Sequence, residues 1–225
     1  MEPRTTGILK AVISEFIESG EPVSSEWLYE HHDFGIKPAM IRLELGGLTD
    51  KGYLVQPHTA AGRVPSDKGL AFFAKSAIEE DAPACGEELL GLFREQAWPE
   101  FLSEFSSELD ILGAASVFPE RAAYKSMLTN LVDHFDWPPS EIRDLVRDFE
   151  NLDERLGKMG GAFQSDIQAF IGRKSPVTKS EHLAVIAGSY GVDGHRVFVC
   201  AIGPKRMDYK KTAKVMKGLK IASRK

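Results

Sequence analysis

Four candidate residues for contact with a polyanion lie within one turn-rich segment, residues 56–69. They are His58, Thr59, Arg63 and Lys68. Arg63 and Lys68 can neutralise phosphate groups, while His58 and Thr59 can approach a minor groove or a sugar-phosphate backbone. Short apolar runs flank the segment and predict a hairpin. The alternative interpretation is an ordinary surface hairpin that binds nothing.

A predicted helix precedes this hairpin and carries four further candidates. Pro38 fits its first position, where the missing N–H costs nothing. An apolar stripe at i, i+4 and i+7 packs inward: Ile41, Leu45 and Leu48. The candidates for contact with DNA at this helix are Lys37, Met40, Arg42 and Leu43. Leu43 can touch a thymine methyl group but cannot hydrogen-bond, and Arg42 beside Glu44 can equally be a plain surface residue.

Two more helices are predicted ahead of this one. Thr5 and Thr6 can cap a first helix that Gly20 ends, and Ser24 can cap a second that ends near residues 31–35. The order helix, corner, helix, short turn, helix, hairpin is that of a winged helix-turn-helix. The chain has a net charge of −5, so DNA contact requires a local cluster of positive groups on an acidic body.

The rest of the chain combines helical patterns with two clear strands. Apolar residues recur at helical spacing over residues 89–93, 101–112, 127–135, 142–156 and 162–171. Residues 182–190 and 195–202 are predicted strands, and residues 191–194 join them as a hairpin turn. A last helix is predicted over residues 210–221, with five lysines on a solvated face.

Four segments carry a resemblance to a known family. They are ILKAVISEFIESGEPV at 8–23, PAMIRLE at 38–44, QPHTAAGRVPSDKG at 56–69 and IGPKRMDY at 202–209. In this order they resemble the heat-inducible transcription repressors of the HrcA type, and residues 56–69 are the most specific match. The resemblance implies that residues 38–44 belong to the recognition helix and that residues 56–69 form the wing.

The same resemblance implies an α+β fold with an N-terminal winged helix-turn-helix and a reduced GAF-like α/β domain. We expect the winged helix over residues 1–78, a linker and connecting helix over 79–98, and the GAF-like domain over 99–225. The family usually has about a hundred more residues, so the strands after Val117 and the dimerisation insert should be largely absent. It also usually carries Ser, Thr and Asn where this chain has Lys37, Met40 and Leu43, so its operator sequence does not carry over.

The implied function is transcriptional repression by a homodimer that binds double-stranded DNA at an inverted repeat. The resemblance further implies control of heat-shock chaperone genes, with the chaperonin as a modulating partner. Two alternatives stay open. One is an interaction or sensor protein whose winged helix no longer reads DNA, and the other is a regulator that binds a small molecule in the GAF-like remnant.

No pattern in the sequence indicates catalysis, a metal or a cofactor. The signatures G-x-S-x-G and H-E-x-x-H and a phosphate-binding loop are absent. His31, His32 and Asp33 lack the spacing of zinc ligands, and the distant Cys85 and Cys200 are expected to be buried free thiols. Neither a membrane span nor a signal peptide is indicated. We therefore expect a cytoplasmic protein that is not an enzyme.

Overall fold

A computed structural model of the chain describes residues 1–58, 61–80, 82–133, 135, 137–159 and 167–223. The chain divides into two units, Met1–Phe73 and Ala74–Lys225. The architecture is mixed, with helices in both units and a five-stranded sheet in the second. The domain boundaries expected at residues 78 and 98 stay predictions.

The first unit consists of three helices followed by a two-stranded hairpin. Its elements are α1 (Pro3–Ser19), α2 (Ser25–His31), α3 (Pro38–Asp50), β1 (Leu54–Val55), β2 (Val64–Pro65) and the first part of α4 (Asp67–Glu80). Side chains of all three leading helices form its core, and the predicted inward stripe of α3 is confirmed because Ile41, Leu45 and Leu48 are buried.

Short-range sequence signals set most of the helix ends in this unit. The Ser24 hydroxyl accepts a hydrogen bond of 3.0 Å from the N–H of Trp27, as expected of an N-cap. Gly20 ends α1 in the left-handed region, with φ 74°, and Pro38 opens α3. These three predictions are confirmed.

The predicted start of α1 is wrong. The helix begins at Pro3, with Glu2 at the N-cap position, and neither Thr5 nor Thr6 caps it. Proline at the first position loses no hydrogen bond and has the φ that a helix needs, so the helix starts before the threonines. Thr5 instead donates a hydrogen bond of 2.8 Å to the carboxylate of Glu44 on α3.

The β1–β2 hairpin is antiparallel and is joined to the corner between α1 and α2. The N–H of Val23 donates to the carbonyl of Arg63 at 2.9 Å, and the N–H of Arg63 donates back to Val23 at 2.8 Å. The hairpin therefore adds to a short extended segment and is not a free loop.

The second unit is built on an antiparallel sheet of strand order β4-β3-β7-β6-β5. Its strands are β3 (Leu112–Phe118), β4 (Ala122–Lys125), β5 (Gln168–Ile171), β6 (Leu183–Val192) and β7 (His195–Pro204). Its helices are α5 (Glu87–Arg94), α6 (Trp98–Leu109), α7 (Thr129–Val132), α8 (Pro139–Glu150), α9 (Leu152–Gly157) and α10 (Tyr209–Ala222).

Helices cover both faces of this sheet. Leucines of α7, α8 and α9 pack with Phe198 and Cys200 of β7 in one apolar cluster. On the other face Gly113 of β3 lies against Phe105 of α6, and the Tyr190 hydroxyl of β6 donates to the carbonyl of Met216 on α10 at 2.9 Å. The unit is thus a three-layer arrangement with the sheet in the middle.

The predicted hairpin and the last helix are confirmed. β6 and β7 are each ten residues long and are joined by Asp193 and Gly194, whose φ angles of 46° and 81° are those of a type I′ turn. α10 begins after Asp208, which accepts the N–H of Lys211 at 2.9 Å. Two of the five lysines are exposed and three are half-buried, so the basic face is only partly solvated.

Of the helical predictions in the second unit, the one over 162–171 is wrong, and those over 101–112 and 127–135 are right only for the parts that form α6 and α7. The pattern over 101–112 breaks because Asp110 adopts a left-handed φ of 53°, after which Leu112 begins β3. Residues 168–171 form β5, which pairs with β6, and residues 160–166 lie outside the described part. The pattern over 127–135 yields only the single turn of α7. The strand region after Val117 is retained in part, because β4 pairs with β3.

A buried carboxylate connects α8 to the loop before β6. Asp148 is 4% exposed, and its oxygens accept the N–H groups of Lys179 (2.8 and 2.9 Å) and Ser180 (2.7 Å). The guanidinium of Arg155 on α9 donates to the same carboxylate at 2.5 Å. Three segments of the second unit therefore meet at one charged group.

Candidate nucleic-acid interface

Seven of the eight candidate residues lie in the described part of the chain, at α3, in the segment between β1 and β2, and at the start of α4. Along α3 the side chains of Lys37, Met40, Arg42 and Leu43 are all exposed. The two apolar residues are exposed to an unusual degree, since Met40 is 46% and Leu43 is 66% accessible. Single exposed apolar side chains are common on proteins, but Met40 and Leu43 on one side of one helix form a small apolar patch.

Lys37 precedes the first turn of α3. Its backbone carbonyl accepts hydrogen bonds from Met40 and Ile41, while its side chain makes no capping bond. In the described part of the chain no carboxylate pairs with its ammonium group. The positive charge is therefore available to an anion outside the protein.

Arg42 is paired with a carboxylate of the neighbouring helix. Its Nη2 atom lies 2.5 Å from Oε1 of Glu26 on α2, and the two side chains are 68% and 57% exposed. The pKa of Glu26 is lowered, first by a backbone hydrogen bond, then by the Ser25 hydroxyl, and also by Arg42. Exposed ion pairs of this kind hold weakly, so a phosphate can compete for the guanidinium.

Arg63 connects the hairpin to the end of α3. Its Nε atom donates a hydrogen bond of 3.0 Å to the hydroxyl of Thr49, and that hydroxyl donates to the carbonyl of Leu45 at 2.9 Å. The Arg63 side chain is half-buried and its charge lies at the junction between helix and hairpin. Arginine carries five N–H donors, so the Nε bond leaves four for other acceptors.

Lys68 has partners inside the first unit. Its ammonium donates to the carbonyl of Lys51 at 2.7 Å and lies 4.4 Å from the ring centroid of Tyr53. A cation at the C-terminal end of α3 stabilises an orphan carbonyl and the helix dipole. This role could not be predicted from the sequence, and it is an addition to the predicted phosphate contact.

The tip of the hairpin carries His58. His58 is exposed, and its carbonyl accepts the N–H of Ala61 at 2.9 Å. The Gln56 side chain also donates to the Ala61 carbonyl, at 3.1 Å. Thr59 lies outside the described residues.

Two positions in the 56–69 segment have no room for a side chain. A Cβ atom on Gly62 would lie 2.4 Å from the carbonyl oxygen of Val23, and one on Gly69 would lie 2.3 Å from that of Tyr53. Both contacts are with backbone that cannot move aside cheaply. The glycines therefore let the hairpin and α4 approach the rest of the unit, a role that the sequence analysis did not assign.

Three residues at α3 that were not among the predicted DNA contacts also line this site. Lys51 follows the last turn and is exposed, Gly47 lies on the same side of the helix, and Glu44 accepts hydrogen bonds from Arg4 at 3.2 Å and Thr5 at 2.8 Å. A shallow depression of about 170 Å³ is lined by Thr5, Met40, Leu43, Glu44, Gly47 and Lys51. The i, i+3, i+7 and i+11 spacing from Met40 was the available signal.

The histidines of α2 have an ordinary structural role. His31 stacks on Trp27 with ring centroids 4.2 Å apart, and His32 stacks on Phe34. Within the described residues no group of three or more His, Cys, Asp or Glu side chains could hold a metal ion. The same part of the chain contains no helix with the length and apolar character needed to cross a bilayer.

Comparison with known proteins identifies the family. Residues 83–213 match the model described as the HrcA protein C-terminal domain, which is more than half of the chain. The chain belongs to the HrcA family. The membership predicted from sequence segments is thereby confirmed.

Several curated HrcA relatives are similar over part of the chain, and each is named a heat-inducible transcription repressor. The protein of Frankia casuarinae is 44% identical over 73 residues, which cover 32% of this chain and 22% of the relative. That of Desulforudis audaxviator is 38% identical over 104 residues, covering 46% and 30%. The matched stretches thus span less than a third of these relatives' length.

One solved structure shares the fold of this HrcA-family chain. It is a hypothetical protein at 2.2 Å resolution, 18% identical, which covers 99% of this chain and 97% of its own with a TM-score of 0.73. At this identity the likeness establishes the arrangement of elements alone.

Proposed function

We propose that this chain is a DNA-binding transcriptional repressor whose first unit is a winged helix. In this proposal α3 enters the major groove, and the β1–β2 hairpin with its tip residues His58 and Thr59 follows the adjacent backbone or minor groove. Lys37, Arg42, Arg63 and Lys68 supply the positive charge that meets phosphates.

The observation that carries the proposal is the exposed side of α3 next to a hairpin that is fixed to it. The Arg63–Thr49 hydrogen bond and the Lys68 contact with the Lys51 carbonyl both connect residues 63–68 to the C-terminal end of α3. A helix and a hairpin held in one arrangement can contact a groove and its flanking backbone together without ordering costs at the moment of binding.

Family membership supports the regulatory part of the proposal. The similar HrcA proteins are named heat-inducible transcription repressors, so we propose that the targets of this chain are heat-shock chaperone genes. We also propose that the protein is cytoplasmic. We further propose that a homodimer binds an inverted repeat, that the second unit is a reduced GAF-like domain, and that the chaperonin modulates repression.

One set of observations favours a second candidate function. Arg42, Arg63 and Lys68 all have partners within the first unit, and residues 1–75 carry a net charge of −2. An interaction or sensor protein that has lost sequence-specific DNA reading would show the same features.

Fluorescence anisotropy with two DNA duplexes separates these functions. One duplex is a chaperone promoter with an inverted repeat and the other is the same composition in scrambled order. A repressor binds the first at least about a thousandfold more tightly. Failure to bind either duplex at low salt, where phosphate contacts are strongest, would contradict DNA binding altogether.

A further inference from the structure

The exposed side of α3 is apolar in its middle and positive at its ends. We use "α3 outer face" for Met40, Leu43, Gly47 and Lys51, which follow one another along one side of the helix and line the depression of about 170 Å³. The two apolar side chains of this face are 46% and 66% exposed. None of the first three residues has a side-chain group that forms an ordinary hydrogen bond.

The polar groups beside this face are occupied. Glu44 accepts from the Thr5 hydroxyl at 2.8 Å and from Arg4 at 3.2 Å. Arg42 points to Glu26, at 2.5 Å. The central part of the α3 outer face is therefore poor in donors and acceptors, which limits direct hydrogen bonding to base edges.

Among the described residues, nothing occupies the space that a side chain at either glycine of α3 would fill. A Cβ atom on Gly46 or Gly47 would meet nothing within 4 Å. Glycine is also the least favourable residue in a helix interior apart from proline. Since nothing inside the unit requires the missing side chain, an external surface that approaches the helix closely at Gly47 accounts for it.

Charge indicates what that surface is. Lys37 lies before the first turn and Lys51 after the last, and in the described residues neither ammonium pairs with a carboxylate. A helix of 13 residues is about 20 Å long, whereas the major groove is about 12 Å wide. The two lysines can therefore lie over the phosphate strands on either side while Met40 and Leu43 face the bases between them.

We propose that the α3 outer face recognises thymine methyl groups, with Leu43 and Met40 as the specificity-determining residues. Thymine is the one base that presents a methyl group in the major groove, and apolar contact with it is an established form of readout. The inference rests on the proposed DNA-binding function and narrows it. The ligand is an A·T-containing half-site whose thymine methyls contact Leu43 and Met40.

The test replaces thymine by deoxyuridine. Duplexes that bind are first selected from a random pool with the full chain, and each thymine of the selected site is then replaced singly. Deoxyuridine keeps every hydrogen-bonding group and removes only the methyl. The dissociation constant should rise about fourfold at each thymine that contacts Leu43 or Met40, which corresponds to burial of one carbon.

Two variants assign the effect to the protein side. For Leu43→Ala, replacement of the thymine that contacts Leu43 by deoxyuridine should leave the dissociation constant unchanged. Ile221→Ala, which removes an aliphatic side chain of similar exposure from α10, should keep the full difference. If Leu43→Ala and Met40→Ala both keep it, or if no thymine replacement matters in a selected site, the inference is overturned while DNA binding stands.

Gly47→Ala gives an independent readout with opposite signs. The melting temperature should rise because alanine favours the helix and its methyl would meet no atom of the described residues within 4 Å. DNA affinity should fall because the new methyl separates α3 from the bases. A rise in both the melting temperature and the DNA affinity would overturn the close approach of α3 to the bases. Weaker self-association in sedimentation with unchanged DNA binding would overturn it too, because that result marks the α3 outer face as a protein-docking surface. Absence of any DNA binding would instead remove the proposed function itself.

Discussion

The Nε atom of Arg63 donates a hydrogen bond of 3.0 Å to the Thr49 hydroxyl, which places the guanidinium at the junction of hairpin and helix. The backbone of Arg63 also pairs with Val23, so this one residue contacts the corner after α1 and the end of α3. Its side chain therefore orients the hairpin, and in the proposed complex it also contributes charge.

Two substitutions separate these roles of Arg63. Arg63→Ala should weaken binding to all duplexes and reduce the slope of log K against log salt by about one, because one phosphate contact is lost. Thr49→Val removes the acceptor of Arg63, together with the hydroxyl's own bond to the Leu45 carbonyl, and should lower the free energy of unfolding by about 1 kcal/mol with an unchanged slope. Anisotropy titrations between low and moderate salt measure both slopes. Equal slopes for Arg63→Ala and the unmodified chain would contradict the phosphate contact.

Gly62→Ala should destabilise the first unit. The new Cβ would lie 2.4 Å from the Val23 carbonyl oxygen and 2.5 Å from its carbon, so the backbone pairing with Arg63 must open. We expect a loss of about 1–3 kcal/mol in urea unfolding, as for other overpacked sites. Gly46→Ala is the matched control and should be stabilising by up to about 1 kcal/mol. Equal stability of the two variants would show that the hairpin adjusts freely.

The elements that local signals define could be predicted from the sequence. The stripe of Ile41, Leu45 and Leu48 follows from helical period, and the turn at Asp193 and Gly194 follows from the need for positive φ at both residues. β5 could not be predicted in this way. It has four residues, too few for its period to show, and it is a strand because β6 lies beside it.

In the candidate site, too, the features set by local sequence could be predicted and those set by tertiary contacts could not. Exposure of Met40 and Leu43 follows from the helical count, and the structure agrees. The partners of Arg63 and Lys68 do not follow, because Thr49 and the Lys51 carbonyl reach them only through the tertiary fold. The positively charged side chains of the site could therefore be predicted from the sequence, whereas the hydrogen bonds that Arg63 and Lys68 make within the first unit could not.

Asp148 should be a strong determinant of stability in the second unit. Asp148→Ala leaves the N–H groups of Lys179 and Ser180 and the Arg155 guanidinium without their acceptor in a buried place. Removal of one partner from such a pair costs about 3–5 kcal/mol. Asp144→Ala on the same helix, whose carboxylate is exposed, should change stability by less than about 0.5 kcal/mol. Denaturant unfolding followed by tryptophan fluorescence compares the two, and similar midpoints would contradict a structural role for the carboxylate.

The two free thiols should make the protein less stable in alkaline solution. Burial raises the pKa of Cys200 to about 12, and burial together with the carboxylates of Glu108 and Glu87 raises that of Cys85 to about 12. An unfolded thiol titrates near pH ~8.5, so the stabilisation is complete below that pH and is lost as the pH rises towards 12. The free energy of unfolding should therefore decline more steeply between about pH 8.5 and pH 11 for the unmodified chain than for a Cys85→Ala, Cys200→Ala variant.

Alkylation by iodoacetamide near pH 8 should also be slow in the folded chain and fast in urea, because only the thiolate reacts. Rapid labelling of Cys85 in the folded chain would contradict its raised pKa.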